Sequence, residues 1–150
     1  TVGQMLVSPN SRNVIPGSVF LTVDFRHPAD KTLSIMDQTL KAFCAKLADE
    51  SQVQIDVVDF WYFPPTPFED SCVEAVREGA KVAGFEHMDI VSGAGHDAVY
   101  IAGVAPTGMI FVPCENGISH NEIENATPED CAAGCQVLLH AILTRAEALD

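Results

Sequence analysis

The feature that most constrains this chain is the run Phe63-Pro64-Pro65-Thr66-Pro67, which carries three prolines in four positions. Proline fixes φ and has no amide donor, so such a run can continue neither a helix nor an inner strand, and it stiffens the backbone where it stands. A domain boundary is expected there, with one part over residues 1–63 and a second over 64–150. Hydrophobic patterning differs on its two sides.

Before the run, residues 4–7 read as a short strand stopped by the turn chemistry of Ser8-Pro9-Asn10-Ser11. After Ile15-Pro16-Gly17, the apolar Val19, Leu21, Val23 and Phe25 alternate with Ser18, Thr22, Asp24 and Arg26, the period of a half-buried strand. Asp30 can cap a helix whose apolar positions Leu33, Met36, Leu40, Phe43 and Leu47 share one face. Val53, Ile55 and Val57, set against Gln54 and Asp56, predict a further amphipathic strand. Strand, strand, helix, strand is the second half of a split βαβ unit, with an antiparallel sheet covered on one face and its first half not in this chain.

After the run, helices and strands alternate, which implies an α/β layer and an α+β chain overall. Cys72, Val73, Val76, Ala80 and Ala83 make a helical face, and residues 88–91 and 107–112 are apolar enough for buried strands. Thr127-Pro128-Glu129-Asp130 is a helix start: Thr caps, Pro suits the first turn, and Asp130 closes a capping box. Cys131, Cys135, Leu138, Ile142, Ala146 and Leu149 are expected to form the buried stripe of that final helix.

Charge narrows the partners. Eight basic residues against twenty-one acidic ones leave a net charge of −13, with no Lys/Arg stripe to follow a phosphate backbone or an anionic membrane, so neither nucleic acid nor membrane is expected. No apolar run approaches the roughly 20 residues of a membrane helix and no signal peptide opens the chain, which points to the cytoplasm. Five cysteines without a CxxC pair suit a reducing compartment. The chain opens on Thr1 rather than Met, as a segment of a longer polypeptide would.

The chemistry concentrates in Phe111-Val-Pro-Cys-Glu-Asn-Gly-Ile-Ser-His-Asn-Glu122, where an apolar run ends in a loop of metal-capable side chains; loops at the ends of buried strands are where α/β proteins place their sites. Three readings compete. Gly93-Ala-Gly95-His-Asp-Ala98 fits a dinucleotide fingerprint, but the helix it opens runs only to about Ala102 before Gly103 and Pro106, too short for a crossover. Cys114 could act as a nucleophile with His96 or His120 as base, yet no neighbouring cation lowers its pKa and Glu115 would raise it. Metal-assisted hydrolysis would use His120 as a ligand, with His96 or Asp97 nearby, and it requires more donors than the loop supplies. Taken alone, His120 reads first as a hydrogen-bonded surface histidine, Asn13 as a turn residue, and Arg26 as a strand-end side chain reaching water. Arg26 could instead grip a carboxylate through two parallel bonds.

Thr1-Val2-Gly3 through Asn10, Asn13-Val-Ile-Pro-Gly17, Asp24-Phe-Arg26, Ser92-Gly-Ala-Gly-His-Asp-Ala98, Ala105-Pro-Thr-Gly-Met-Ile-Phe111 and Asn116-Gly-Ile-Ser-His-Asn121 occur in that order in the zinc-dependent amidase/carbamoylase branch of the M20 metallopeptidase-like family, which this chain resembles along essentially its whole length. That branch holds N-carbamoyl-L-amino-acid hydrolases, β-ureidopropionases and allantoate amidohydrolases. The resemblance implies the C-terminal part of an M20-like α/β metallohydrolase domain (64–150), preceded by the C-terminal half of a ferredoxin-like lid or dimerisation domain (1–63). It implies that His120 is a ligand of a site holding two divalent metals (zinc, manganese, cobalt or nickel). It further implies that Asn13 and Arg26 hold a substrate carboxylate, that Gly117 offers a backbone contact, and that His96 lines the pocket. By the same resemblance the enzyme is a homodimer hydrolysing linear C–N amide bonds of small carbamoyl or ureido acids. The remaining ligands and the Glu that acts as general base belong to an N-terminal half outside this chain, so the 150-residue chain alone is expected to be inactive. Two alternatives are an aminoacylase or peptidase-like M20 enzyme and a non-catalytic piece serving association.

Overall fold

A computed structural model describes residues 1–146, and Leu149 of the expected final stripe lies outside them. The chain separates into two compact units, Thr1–Pro65 and Thr66–Asp150, so the division falls inside the proline run.

The first unit opens with β1 (Val2–Ser8) and β2 (Ser18–Val23), an antiparallel pair in which Met5 faces Leu21, Leu6 faces Phe20 and Val7 faces Val19. The register shifts between Val2 and Gln4, and the Gly17 amide closes the connection on the Ser8 carbonyl at 2.8 Å. Alternation predicts one sheltered face. Instead Met5, Leu6, Val19, Phe20 and Leu21 are all exposed, so both faces of the hairpin are open, and β2 ends at Val23 rather than running on to Phe25.

The helix α1 (Asp30–Ser51) starts one residue before the expected first turn. Ala29, not Asp30, is its N-cap and makes no side-chain capping bond; the Ala29 amide donates to Nδ1 of His27 at 2.9 Å, while Asp30 lies in the first turn, where a carboxylate complements the helix dipole. Its half-buried face runs Leu33, Met36, Leu40, Cys44 and Ala48, and Phe43 and Leu47, expected on that face, are exposed. The chain then turns at Gln52, whose φ of 57° is left-handed, and the extended segment 53–62 runs back along the helix. Lys41 bonds Asp59 at 2.6 Å and Asp37 at 2.8 Å, and the Tyr62 hydroxyl donates to Asp30. The predicted strand at 53–57 is therefore not formed: the segment has no ladder among the described residues. A strand is completed by a hydrogen-bonded neighbour, and β1 and β2 bond only each other among the described residues.

The second unit is built on α2 (Asp70–Val82) packed against α4 (Pro128–Arg145), with the short α3 (Asp97–Ala102) between them in sequence. Its core consists of Ala75, Ala80, Val137 and Ala141, with Gly79 buried beside them. A Cβ added at Gly79 would sit 3.1 Å from the Val137 carbonyl and 3.3 Å from Cβ of His140, so the two helices meet at small residues. The face expected on α2 is sheltered. The stripe expected on α4 is not: Cys131, Cys135, Leu138 and Ile142 are exposed, and the helix turns Val137 and Ala141 inward. Small side chains allow the close approach, and the bulky stripe is left outside.

Residues 107–112 lie in extended conformation against both helices. Glu69 donates to the Thr107 carbonyl at 3.0 Å, a Cβ at Gly108 would meet Cys72 at 3.2 Å, and one at Gly134 would meet Val112 at 2.7 Å. Like residues 88–91, this segment forms no ladder among the described residues, which corrects both strand expectations for the same reason as at 53–57. The whole chain exposes 11831 Å², against about 8,900 Å² for two separate compact bodies sharing its mass.

Candidate functional site

The segment 107–112 delivers the chain to a loop that folds on itself. The Glu115 amide donates to the Asn125 carbonyl at 2.7 Å, and the Asn125 side-chain amide returns a bond to the Glu115 carboxylate at 2.9 Å. This reciprocal clamp closes the loop at its neck. Within it, Asn116 and Gly117 have φ of 56° and 69°, conformations that asparagine and glycine reach at the least steric cost. The Gly117 and Ile118 amides donate back to Cys114 and Glu115 at 2.9 and 3.2 Å.

His120 is also left-handed, with φ of 57°, a conformation uncommon outside glycine and enriched at asparagine, aspartate and histidine. Its amide donates to Oε2 of Glu124 at 2.6 Å, and its Nδ1 lies 3.2 Å from the Ser119 hydroxyl. Asn121 closes the following turn, its carbonyl accepting from the Glu124 amide at 2.9 Å and its side chain from Ile123 at 3.2 Å. The His120 ring is exposed and its Nε2 has no hydrogen-bond partner among the described residues. The loop carries Glu115, Glu122 and Glu124 and no Lys or Arg, a field that favours a cation.

His96 lies in the same unit as the half-buried N-cap residue of α3. Its Nε2 is 2.8 Å from Oγ of Ser92, and its ring meets the edge of Phe111 at 5.3 Å between centroids and 65° between planes. The six residues of α3 are too few for the crossover a dinucleotide fingerprint needs.

Asn13 and Arg26 belong to the first unit. Asn13 accepts from the Ser11 hydroxyl at 2.9 Å in the loop between β1 and β2. Arg26 grips Asp24 with Nε at 3.0 Å and Nη2 at 2.7 Å. The guanidinium holds the Asp24 carboxyl below the usual carboxylate range, chiefly by hydrogen bonding, and Asp24 raises Arg26 by the same bond. Arg26 thus already forms the two-pronged grip on a carboxylate that its chemistry allows.

His120 with a bare Nε2 fits one ligand position of a metal site. It does not make a site alone: among the described residues no three His, Cys, Asp or Glu side chains cluster to hold an ion, and Glu115 and Glu124 are engaged inside the loop. Sequence reasoning missed Ser92, Glu124 and the Glu115–Asn125 clamp. The only signal for them was the four-residue spacing of Ser92 to His96 and of His120 to Glu124, which in a loop does not by itself imply contact.

Residues 3–144 match the model of Peptidase family M20/M25/M40. The chain is 46% identical over 149 residues to an N-carbamoyl-L-amino-acid amidohydrolase of Rhizobium meliloti, covering 99% of this chain and 36% of that protein. It is 36% identical over 139 residues to the allantoate amidohydrolase of Escherichia coli, covering 92% of this chain and 34% of the relative. A crystal structure of an amidase of the hydantoinase/carbamoylase family from Burkholderia multivorans superposes with a TM-score of 0.94 at 57% identity, over 97% of this chain and 35% of that one. The chain thus spans about a third of the length of the relatives it matches. With the family model matched along nearly its whole length and the fold shared with a hydantoinase/carbamoylase amidase, this chain belongs to Peptidase family M20/M25/M40.

Proposed function

We propose that residues 1–150 act inside a longer polypeptide as the C-terminal part of a metal-dependent amidohydrolase that cleaves linear C–N bonds of N-carbamoyl or ureido acids. The observation that carries this reading is His120: an exposed imidazole with a bare Nε2, held in left-handed backbone by a loop closed on itself. Such rigid presentation of one donor suits a shared metal site whose other donors come from outside this segment. Similarity to an N-carbamoyl-L-amino-acid amidohydrolase and an allantoate amidohydrolase supports the substrate class.

In this proposal His120 contributes one imidazole to a divalent ion of the kind imidazole and carboxylate ligands accept, namely zinc, manganese, cobalt or nickel. The bound metal supplies an activated water. The residues of this chain do the positioning. Arg26 and Asn13 receive the substrate carboxylate, with Asp24 holding the Arg26 fork at a fixed angle. The open backbone at Gly117, where a Cβ would meet nothing within 4 Å, leaves room for a ligand beside the loop, and His96 is a further substrate-binding residue of the second unit. Residues 1–63 would serve as half of a lid or dimerisation domain and 64–150 as part of the catalytic domain.

The surplus of exposed surface favours a role for association within this reading. Met5, Phe20, Leu138 and Ile142, and the outer edges of β1 and β2, which are unpaired among the described residues, are the kinds of surface that further chain or a second copy covers, in keeping with a homodimer. Five free cysteines suit the cytoplasm. No helix among the described residues is long and apolar enough to cross a membrane.

The test is ammonia release from N-carbamoyl amino acids, ureidopropionate and allantoate by the longest natural polypeptide containing residues 1–150. Replacing His120 with Ala should lower both bound metal and turnover by at least about 100-fold. Unchanged metal content and activity in that variant would remove His120 from the site and the proposal with it.

A further inference from the structure

We infer that Ser92 is a positioning residue: its hydroxyl donates to Nε2 of His96, fixes the imidazole as the Nδ1–H tautomer, and so presents an N–H donor to an oxygen of the bound substrate. The inference rests on the proposed function only for the identity of that substrate. The tautomer is inferred from contacts within the loop itself.

A serine hydroxyl has one proton to give and two lone pairs to receive with. One lone pair of Ser92 is taken by the Ala94 amide, which donates to Oγ at 3.1 Å. Two acceptors lie within reach of the proton: Nε2 of His96 at 2.8 Å and the Ala94 carbonyl at 3.4 Å. The first is an ordinary hydroxyl hydrogen-bond length, and the second is well beyond the 2.5–3.0 Å range of O–H···O bonds. If Nε2 carried the ring proton, Ser92 would accept twice and leave its own proton to the distant carbonyl or, since Ser92 is exposed, to water. With Nε2 as acceptor, the short contact and the amide contact are both satisfied.

A neutral imidazole that accepts at Nε2 carries its proton at Nδ1. Nδ1 of His96 has no hydrogen-bond partner among the described residues, and the Phe111 edge confines the ring from another side. The half-buried ring is therefore left with one outward donor. Such a group selects a carbonyl or carboxylate oxygen and disfavours a ligand that presents a donor at the same point. That selectivity separates the oxygen of a carbamoyl, ureido or carboxylate group from an ammonium group, which has only donors.

The test uses the longest natural polypeptide containing residues 1–150, labelled with ¹⁵N-histidine, with long-range ¹H–¹⁵N correlations recorded above the ordinary imidazole titration range. His96 is assigned by the signals lost in His96→Gln. The expected result is a proton on Nδ1 in the wild type, movement toward the Nε2–H form in Ser92→Ala, and retention of the wild-type tautomer in Ser92→Thr, which keeps the hydroxyl. On N-carbamoyl amino acids, kcat/KM should fall about tenfold in Ser92→Ala, the loss of roughly one hydrogen bond, and recover in Ser92→Thr. A wild-type ring protonated on Nε2, or a tautomer unchanged in Ser92→Ala, would overturn the inference. A polypeptide inactive on every carbamoyl and ureido acid, yet showing the Nδ1–H form and its loss in Ser92→Ala, would uphold the role of Ser92 and refute the proposed function instead.

Discussion

Glu124 and His120 are tied across the metal-capable loop: the His120 amide donates to Oε2 of Glu124 at 2.6 Å while His120 itself holds φ at 57°. A non-glycine residue in such a conformation carries about 1–3 kcal/mol of strain and stays there only when its surroundings hold it. Within the loop, those surroundings are the Glu124 carboxylate and the Glu115–Asn125 clamp.

Glu124→Ala should therefore release His120 without touching its side chain. In the longest natural polypeptide containing this segment, metal affinity measured by competition with a chromogenic chelator should drop about 10–100-fold, as for other residues that orient a ligand. Glu124→Gln, which keeps an acceptor oxygen, should lose less. Equal affinity in wild type and Glu124→Ala would show that the loop holds His120 by other means.

Gly79 lies in the contact between α2 and α4, with no room for a larger side chain beside Val137 and His140. Gly79→Leu should lower the stability of the chain by about 1–3 kcal/mol in urea unfolding, since overpacking forces the backbones apart. A variant as stable as wild type would mean that the helices can separate freely.

Thr127 caps α4: its hydroxyl oxygen accepts from the Asp130 amide at 3.1 Å and its proton goes to the Asp130 carboxylate at 2.6 Å. Thr127→Ala should destabilise by about 1 kcal/mol, and Thr127→Ser by much less, in the same unfolding measurement.

The expected capping box is not closed, because the Asp130 carboxylate takes the Thr127 hydroxyl rather than its backbone amide, but the Thr127 N-cap itself was legible in the sequence. So was the sheltered face of α2, where Cys72, Val76 and Ala80 repeat at helical spacing. The face of α4 was misread because periodicity follows bulk, whereas the helices approach through Gly79, Val137 and Ala141, and Leu138 and Ile142 are left 50% and 54% exposed. The strands expected at 53–57, 88–91 and 107–112 were misread for another reason. Alternation records which side of a strand is apolar, but a ladder also needs a neighbour, and a segment's own sequence does not contain one. At the site, Asn116-Gly117 announced a tight turn. The left-handed backbone of His120 and the contact of Ser92 with His96 came from loop closure, which no local pattern encodes.

Acid should weaken the fold through Asp24 and Asp89. Arg26 and Arg77, each first by hydrogen bonding, hold these carboxyls below the usual carboxylate range, and Arg77 reaches Asp89 at 2.7 Å. A carboxyl lowered in the folded chain stabilises it above the unfolded value, about 3.9 for aspartate, and that contribution disappears as pH falls through the lowered folded value. Both pairs are exposed, so the effect is small. The difference in melting temperature between wild type and Asp89→Asn should be present at pH 7 and shrink as pH falls below the unfolded aspartate value of about 3.9. A difference that persists at the lowest pH would exclude the ion pair as its cause.

The most direct test of the central claim compares ammonia release from N-carbamoyl amino acids by the purified 150-residue chain and by the longest natural polypeptide that contains it, with divalent metal supplied to both. The lack of a donor cluster among the described residues predicts turnover by the longer polypeptide and none by the 150 residues. Turnover by the 150-residue chain, free of longer contaminant, would contradict the account.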